Sequence, residues 1–324
     1  MASVLPDTHV SSGTVDSGDG HAIATRLWVA DNAHGVVHWL HGMAEHGARY
    51  AVLAQTLNAA GWHLCVHDHR GHGDSQSAEC PQGHFADEHG WQRVIRDVSQ
   101  VQHWLRERYP DLPHVLGGHS MGSFIALAWA QHHADDARTP LAGLVLCGSD
   151  YHPGWFYHLA RLPILLERRR HGPRGTSPLI RSMTFDAWAK TLKTRHTDFD
   201  WLSRDNDEVR AYIDDPACGF DCTTQLWSDL LAGLSRTHAR ASLQRLPADL
   251  PVLLMAGDQD PMSRQGKGMK GLHRALQRRG LRDLVFNEYA GGRHEILNDY
   301  CRAEVMAGLQ TWLEAHRPSS ASPA

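Results

Sequence analysis

Gly118-His119-Ser120-Met121-Gly122 stands between a short apolar run, Val115-Leu116, and an apolar helical stretch from Phe124 to Ala134. A serine set between glycines at such a junction fits a strand–turn–helix elbow, where the neighbours must be small and the hydroxyl is lifted clear of the sheet. The chemistry this suggests is nucleophilic attack. A serine hydroxyl is a poor nucleophile at neutral pH, so it needs a base within hydrogen-bond reach and a third group to orient that base. With 29 glycines in 324 residues, the five-residue pattern alone is weak. Its meaning rests on what accompanies it.

Three partners stand in the order the chemistry requires. Upstream, Val36 to Leu40 reads as a buried strand ending in His41-Gly42-Met43-Ala44-Glu45-His46-Gly47. Downstream, the apolar run Pro251 to Ala256 ends in Gly257-Asp258-Gln259-Asp260-Pro261, and Leu284 to Tyr289 leads into Gly291-Gly292-Arg293-His294-Glu295. Serine, then acid, then histidine, each just past a strand, is the chain order of an α/β-hydrolase triad. His294 is then the base for Ser120, and Asp260 holds its imidazole. The backbone N–H groups of Met43 and Met121 are placed to meet an oxyanion. His41, Gly42, Gly118 and Gly122 shape the two turns, and His119 packs or hydrogen-bonds beside them. Asp258 reads as a turn-former, and Glu295 as a local structural partner.

These groups need a frame, and the chain supplies one. His21 to Val29 reads as an edge strand and His63 to His67 as a buried one, followed by the glycine-rich loop Asp68 to Asp74. Arg49 to Ala60 and Trp91 to Tyr109 carry helical periodicity, and Leu141 to Cys147 is again a strand. Strands separated by helices of this length imply βαβ units and a mostly parallel central sheet flanked by helices. The alternation stops after Asp150 and resumes at Pro251. The expected division is a core over 1–150, a largely helical cap over 151–246, a second part of the core over 247–316, and a flexible tail over 317–324.

The same residues carry a family likeness. His41-Gly42-Met43-Ala44-Glu45-His46, Asp68-x-Arg70-Gly71-His72-Gly73-x-Ser75 and Gly118-His119-Ser120-Met121-Gly122 resemble the monoacylglycerol lipase and lysophospholipase group of α/β hydrolases. Gly257-Asp258-x-Asp260-Pro261 and Arg293-His294-Glu295-Ile296-Leu297-Asn298 are similar to its C-terminal motifs. Leu202-Ser203-Arg204-Asp205 and Asp215-Pro216-x-Cys218-Gly219-Phe220 are similar to the cap of its bacterial members. The likeness runs over roughly residues 20 to 316. It implies a serine esterase acting on a monoacyl lipid through an acyl-enzyme, with Ser120, Asp260 and His294 as triad and Met43 and Met121 as oxyanion donors.

Two other functions stay open on the sequence: a peptidase or amidase on the same scaffold, and a ligand-binding protein with a vestigial triad. A peptidase would want acidic groups for a free amine, and Asp205, Asp207, Glu208, Asp214 and Asp215 are candidates. An acyl chain would want an apolar wall, and Trp155, Phe156, Leu159, Leu162, Ile164, Leu165 and Leu166 lie close together. That stretch, followed by Arg168 to Arg170, suits either a transient lipid-surface contact or a cap helix packing on its own domain.

A net charge of −4 gives no reason to expect nucleic acid. No cofactor is expected. His63, His67, His69 and His72 lack the cysteine or carboxylate set of a four-ligand metal site and read as a hydrogen-bonded loop. The six cysteines are scattered; only Cys218 and Cys222 are spaced for a pair, and free thiols are expected. Residues 1–7 lack the basic-then-apolar order of a secretory leader, and no apolar run nears the ~18 residues that cross a bilayer. The expectation is a cytoplasmic enzyme.

Overall fold

The computed structural model describes residues 9–134, 136 and 140–317. The segment read for a secretory leader and the tail beyond Arg317 fall outside the described residues. In chain order the elements are β1 (His9–Asp16), β2 (Ala22–Val29), β3 (Gly35–Leu40), α1 (Ala51–Ala59), β4 (Trp62–His67), α2 (Gly90–Arg108), β5 (His114–His119), α3 (Met121–His133) and β6 (Gly143–Cys147). Then come α4 (Gly154–His171), α5 (Pro178–Met183), α6 (Phe185–Lys190), α7 (Asn206–Asp214), α8 (Thr224–Thr237), α9 (Arg240–Leu243), β7 (Val252–Gly257), α10 (Lys267–Arg279), β8 (Leu284–Tyr289) and α11 (Arg302–Ala315).

The strands form one eight-stranded sheet in the order β1-β2-β4-β3-β5-β6-β7-β8. From β4 to β8 neighbours are parallel, whereas β2 lies antiparallel to both β1 and β4. This is an α/β-hydrolase fold. It corrects one expectation: β2 is not the edge. β1, with the polar sequence His-Val-Ser-Ser-Gly-Thr-Val-Asp, pairs along its outer side.

Strands β3 to β7 are buried along their whole length because helices cover both faces. The pleat sorts their side chains by parity. Leu144 and Leu146 join the core beneath α2, α3 and α10, while Val145 and Cys147 join the core beneath α1 and α11. Val252, Leu254 and Ala256 on one side, with Leu253 and Met255 on the other, repeat the pattern. Helices α4 to α9 lie between β6 and β7, so the break in alternation after Asp150 is a helical insertion in the sheet order. No described helix is long and apolar enough to cross a membrane.

Candidate active site

The elbow follows from two glycines and one strained serine. Ser120 takes φ 52°, ψ −120°, between the end of β5 and the first turn of α3. Its N–H donates to the Cys147 carbonyl on β6 at 2.9 Å, and its carbonyl accepts from Ser123 N at 2.9 Å. A Cβ on Gly118 would press on the Gly122 backbone, and one on Gly122 would strike the Leu40 carbonyl. The glycines therefore let the start of α3 sit against the end of β3, and a positive φ costs on the order of 1–3 kcal/mol that the surroundings must hold.

His294 and Asp260 arrive from neighbouring strand ends. The Asp260 loop follows β7 and the His294 loop follows β8, and His294 Nδ1 lies 3.1 Å from Asp260 Oδ1. A carboxylate oxygen accepts, so the proton sits on Nδ1 and Nε2 is left as a base. The same Oδ1 accepts from Met262 N at 2.9 Å. Both residues are buried, and Ser120, His294, Met43 and Met121 line one cavity. Asp258, by contrast, accepts from Gly291 N at 2.7 Å and shapes the turn.

Met121 opens α3, where the first N–H groups have no intrahelical acceptor. Met43 sits in the loop after β3, which is braced on several sides. His41 Nδ1 donates to the Gly42 carbonyl at 2.7 Å while its Nε2 accepts from His69 N at 2.9 Å. Ala44 takes a positive φ of 54°. Its carbonyl accepts from Gly219 N and from the Tyr212 hydroxyl, both at 2.9 Å, so the insertion grips the loop.

Beneath this loop lies a buried ionic cluster that sequence reasoning did not foresee. Arg49 forks onto Glu295 at 2.8 and 2.7 Å and reaches Glu45 at 2.6 Å. Glu45 also accepts from the Tyr50 hydroxyl at 2.9 Å. Burial favours the neutral acid, but Arg49 and His119 hold the Glu45 carboxyl well below its ordinary range. Each ring nitrogen of His119 faces an acceptor, Glu45 Oε1 at 3.4 Å and the His294 carbonyl at 3.1 Å. Burial works against its charge, yet the bond to Glu45, the charges of Glu45 and Glu295 and the His294 carbonyl together outweigh it and the pKa is raised. The His119 ring lies 4.7 Å from that of His294.

The cavity has a volume of about 600 Å³. Its walls are mostly apolar: Phe124 from α3, Ile164 from α4, Phe185 and Trp188 from α6, and Leu230 and Leu234 from α8. Trp201 tilts over the His294 ring at 5.1 Å. The expected wall from 155 to 166 is only partly there. Phe156 and Ile164 line the cavity, but Trp155, Leu159, Leu162 and Leu166 share the outer face of α4, with Trp155 64% and Leu162 60% exposed. Helical spacing puts those four on one side, and that side is turned out.

The acidic candidates for an amine lie elsewhere. Asp205 caps α7, Asp205 and Glu208 face Arg302, Asp215 pairs with His46, and none of the five lines the cavity. The one aspartate that does, Asp150, is held by Arg264 at 2.8 Å and His152 at 3.2 Å.

His63 stands apart, its Nδ1 accepting from Ala30 N at 3.0 Å, whereas His67, His69 and His72 are fully buried against His38 and His41. Among the described residues the one grouping with three metal-binding side chains close together is His46, Asp215 and Cys218. All six cysteines are free.

The model of the serine aminopeptidase S33 family matches residues 31–300. The chain belongs to that family. Within this S33 frame, a monoacylglycerol lipase of Mycolicibacterium smegmatis is 27% identical over 310 residues, covering 92% of this chain and 94% of that protein. A monoglyceride lipase of Rattus norvegicus is 25% identical over 305 residues, covering 93% and 89%. A thermostable carboxyl esterase from Bacillus coagulans, solved with glycerol, superimposes with a TM-score of 0.81 at 24% identity over 95% of this chain and 99% of that one. That likeness in structure agrees with the sheet order.

Proposed function

We propose that this S33 protein is a carboxylic-ester hydrolase whose substrates are monoacyl lipids, monoacylglycerols or lysophospholipids, and that Ser120, His294 and Asp260 are its triad. The observation that carries the reading is the apolar cavity of about 600 Å³ opening on Ser120. The likeness to monoacylglycerol lipases supports it. The family's name favours the alternative, an aminopeptidase, but a peptide amine would need an unengaged carboxylate. Asp150 is doubly paired, Glu45 and Glu295 at the cavity wall are both held by Arg49, and Asp205, Asp207, Glu208, Asp214 and Asp215 lie outside the cavity.

In the proposed reaction His294 Nε2 takes the Ser120 proton as Oγ attacks the ester carbonyl. The N–H groups of Met43 and Met121 receive the oxyanion, a contribution of about 100- to 1000-fold per donor. Collapse expels the alcohol with the proton from His294, and water then cleaves the acyl-serine by the same steps reversed. The helices of 151–246 act as a cap over the acyl chain. The outward face of α4, with Trp155, Leu159, Leu162 and Leu166 beside Arg168 to Arg170, meets the lipid surface from which substrate is drawn.

The test is a series of glycerol esters from acetyl to dodecanoyl, set against aminoacyl amides. Each buried methylene is worth about 0.8 kcal/mol, so kcat/KM rises up to about fourfold per carbon until the cavity is full. Ser120→Ala keeps its fold and loses both turnover and fluorophosphonate labelling. Preference for acetyl esters, or faster cleavage of the amides, would overturn the lipid reading; wild-type turnover by Ser120→Ala would overturn the triad.

A further inference from the structure

Outside the proposed triad, three ligand types converge where the insertion meets the core. His46 lies in the loop after β3, and Asp215 and Cys218 lie in the turn after α7. His46 Nε2 is 2.8 Å from Asp215 Oδ2, and the Cys218 sulfur completes a set whose ligand atoms all lie within 4.8 Å of one another. We propose that His46, Asp215 and Cys218 bind a zinc-like divalent cation that clamps the insertion to the loop carrying Met43.

The donor set decides the class of ion. Thiolate, imidazole and carboxylate together suit zinc or cobalt and are foreign to the all-oxygen sites of calcium and magnesium. Tetrahedral bonds of about 2.0–2.3 Å place ligand atoms roughly 3.3–3.6 Å apart, so the His46 and Asp215 atoms, 2.8 Å apart, open slightly while the sulfur is drawn in by up to roughly 1 Å. Each partner is aimed by its own backbone. Asp215 Oδ1 accepts from Ala217 N at 2.8 Å, leaving Oδ2 for the ion, and Cys218 N closes the turn on the Asp215 carbonyl at 2.9 Å.

The Cys218 thiol is free and buried. The Asp215 side chain is 32% exposed, which leaves a path for the ion and room for a water as fourth ligand. Arg49, whose charge is felt at Asp215 and Cys218, is already neutralised by Glu45 and Glu295. On binding, His46 gives up its Nε2 proton and keeps one on Nδ1, so that the His46–Asp215 hydrogen bond is exchanged for two metal bonds, and the thiol gives its proton to solvent as the metal–sulfur bond forms. The loop and the turn are already joined by Gly219 N and Tyr212 Oη on the Ala44 carbonyl. Tightening the set displaces the loop that positions Met43, and a displacement near 1 Å at such a donor costs up to ~100-fold in rate. The bound ion is therefore a reversible inhibitor.

The experiment titrates chelator-treated full-length protein with Zn²⁺ by calorimetry and with Co²⁺ by absorption, beside Cys218→Ser and Asp215→Asn variants whose thermal unfolding in EDTA matches wild type. One ion per chain, a thiolate-to-cobalt charge-transfer band, and a loss of more than about 10-fold in affinity in both variants are expected. Zn²⁺ should slow ester turnover, EDTA should restore it, and Cys218→Ser should resist. With 25 histidines in the chain, ordinary surface binding is the rival. Affinity unchanged in both variants, or cobalt binding without the charge-transfer band, would overturn the site, and the wild-type cobalt spectrum decides it even where a variant fails to fold.

Discussion

Lowering the pH from 7 to 5 should bring this protein to the edge of unfolding, through histidines far from the cavity as well as beside it. Burial pushes His67 and His72 down to about 3 and His114 and His238 down to about 4, against an ordinary 6.5. All four are buried. The unfolded chain takes up these protons and the folded one refuses them, so stability is full above pH 6.5 and falls as pH drops toward the folded values. Each pH unit in that window costs about 1.36 kcal/mol per group, or roughly 7 kcal/mol for the four between pH 7 and pH 5.

Other buried histidines deepen the loss, since burial holds His38 and His69 well below their ordinary range and His41 below it. Asp97, raised by burial to about 6, is relieved as it protonates and returns roughly 1 kcal/mol. His119, raised, keeps its full contribution below 6.5, and the carboxylates held low, Glu45 and Asp68 among them, stay ionised at pH 5. A loss of at least about 6 kcal/mol rivals the whole stability of many domains. Urea unfolding at constant ionic strength, at half-unit steps of pH, measures it. His114→Gln should flatten the slope by about 1.36 kcal/mol per pH unit, whatever it does to stability at pH 7. Stability that holds steady or rises from pH 7 to pH 5 would refute the reasoning.

Three further outcomes follow from packing and charge. Gly122→Ala drives a methyl group against the Leu40 carbonyl, and should cost about 3 kcal/mol, read as a lower Tm together with lost esterase activity; an unchanged Tm would show that the elbow has slack. Arg49→Met leaves Glu45 and Glu295 buried without their cation, a loss of about 3–5 kcal/mol, checked by urea unfolding, and a cost below about 1 kcal/mol would show that the two carboxylates do not depend on Arg49. Replacing Trp155 and Leu162 together by serine should weaken sedimentation with anionic vesicles by at least about 100-fold while hydrolysis of a soluble short-chain ester continues; unchanged vesicle binding would retire the surface on α4.

The parts of this molecule that local rules govern are readable from the sequence. Gly118 and Gly122 announce the elbow because a tight strand–turn–helix junction has no room for a Cβ, and the apolar strands β3 to β7 declare a sheet covered on both faces. β1 is not readable: an edge strand of polar residues needs no apolar alternation, since its stability comes from the ladder with β2. The facing of α4 misleads because its apolar residues at 155, 159, 162 and 166 have the spacing of a buried stripe, and nothing in the spacing says whether a partner is present. The Arg49 cluster joins residues 246 positions apart. A carboxylate beside His294 carries no local mark of which arginine will meet it.

Helix α8 belongs to two structures at once. β6 and β7 are parallel neighbours, so the chain leaving the top of one must return to the foot of the other, and α8 with α9 makes that descent. It packs on α4 and also on α2 and α3, with Gly233 flat against the Trp91 indole. Yet its Leu230 and Leu234 also face the cavity. The side walls from α4 and α6 are embroidery on the crossover, while the α8 wall is the crossover itself. Variation is therefore unevenly licensed. A library drawn at Met183 and Trp188 can remould the cavity while the sheet stays closed, whereas one drawn at Leu230 and Leu234 will be answered first as a folding defect, whatever it does for the substrate.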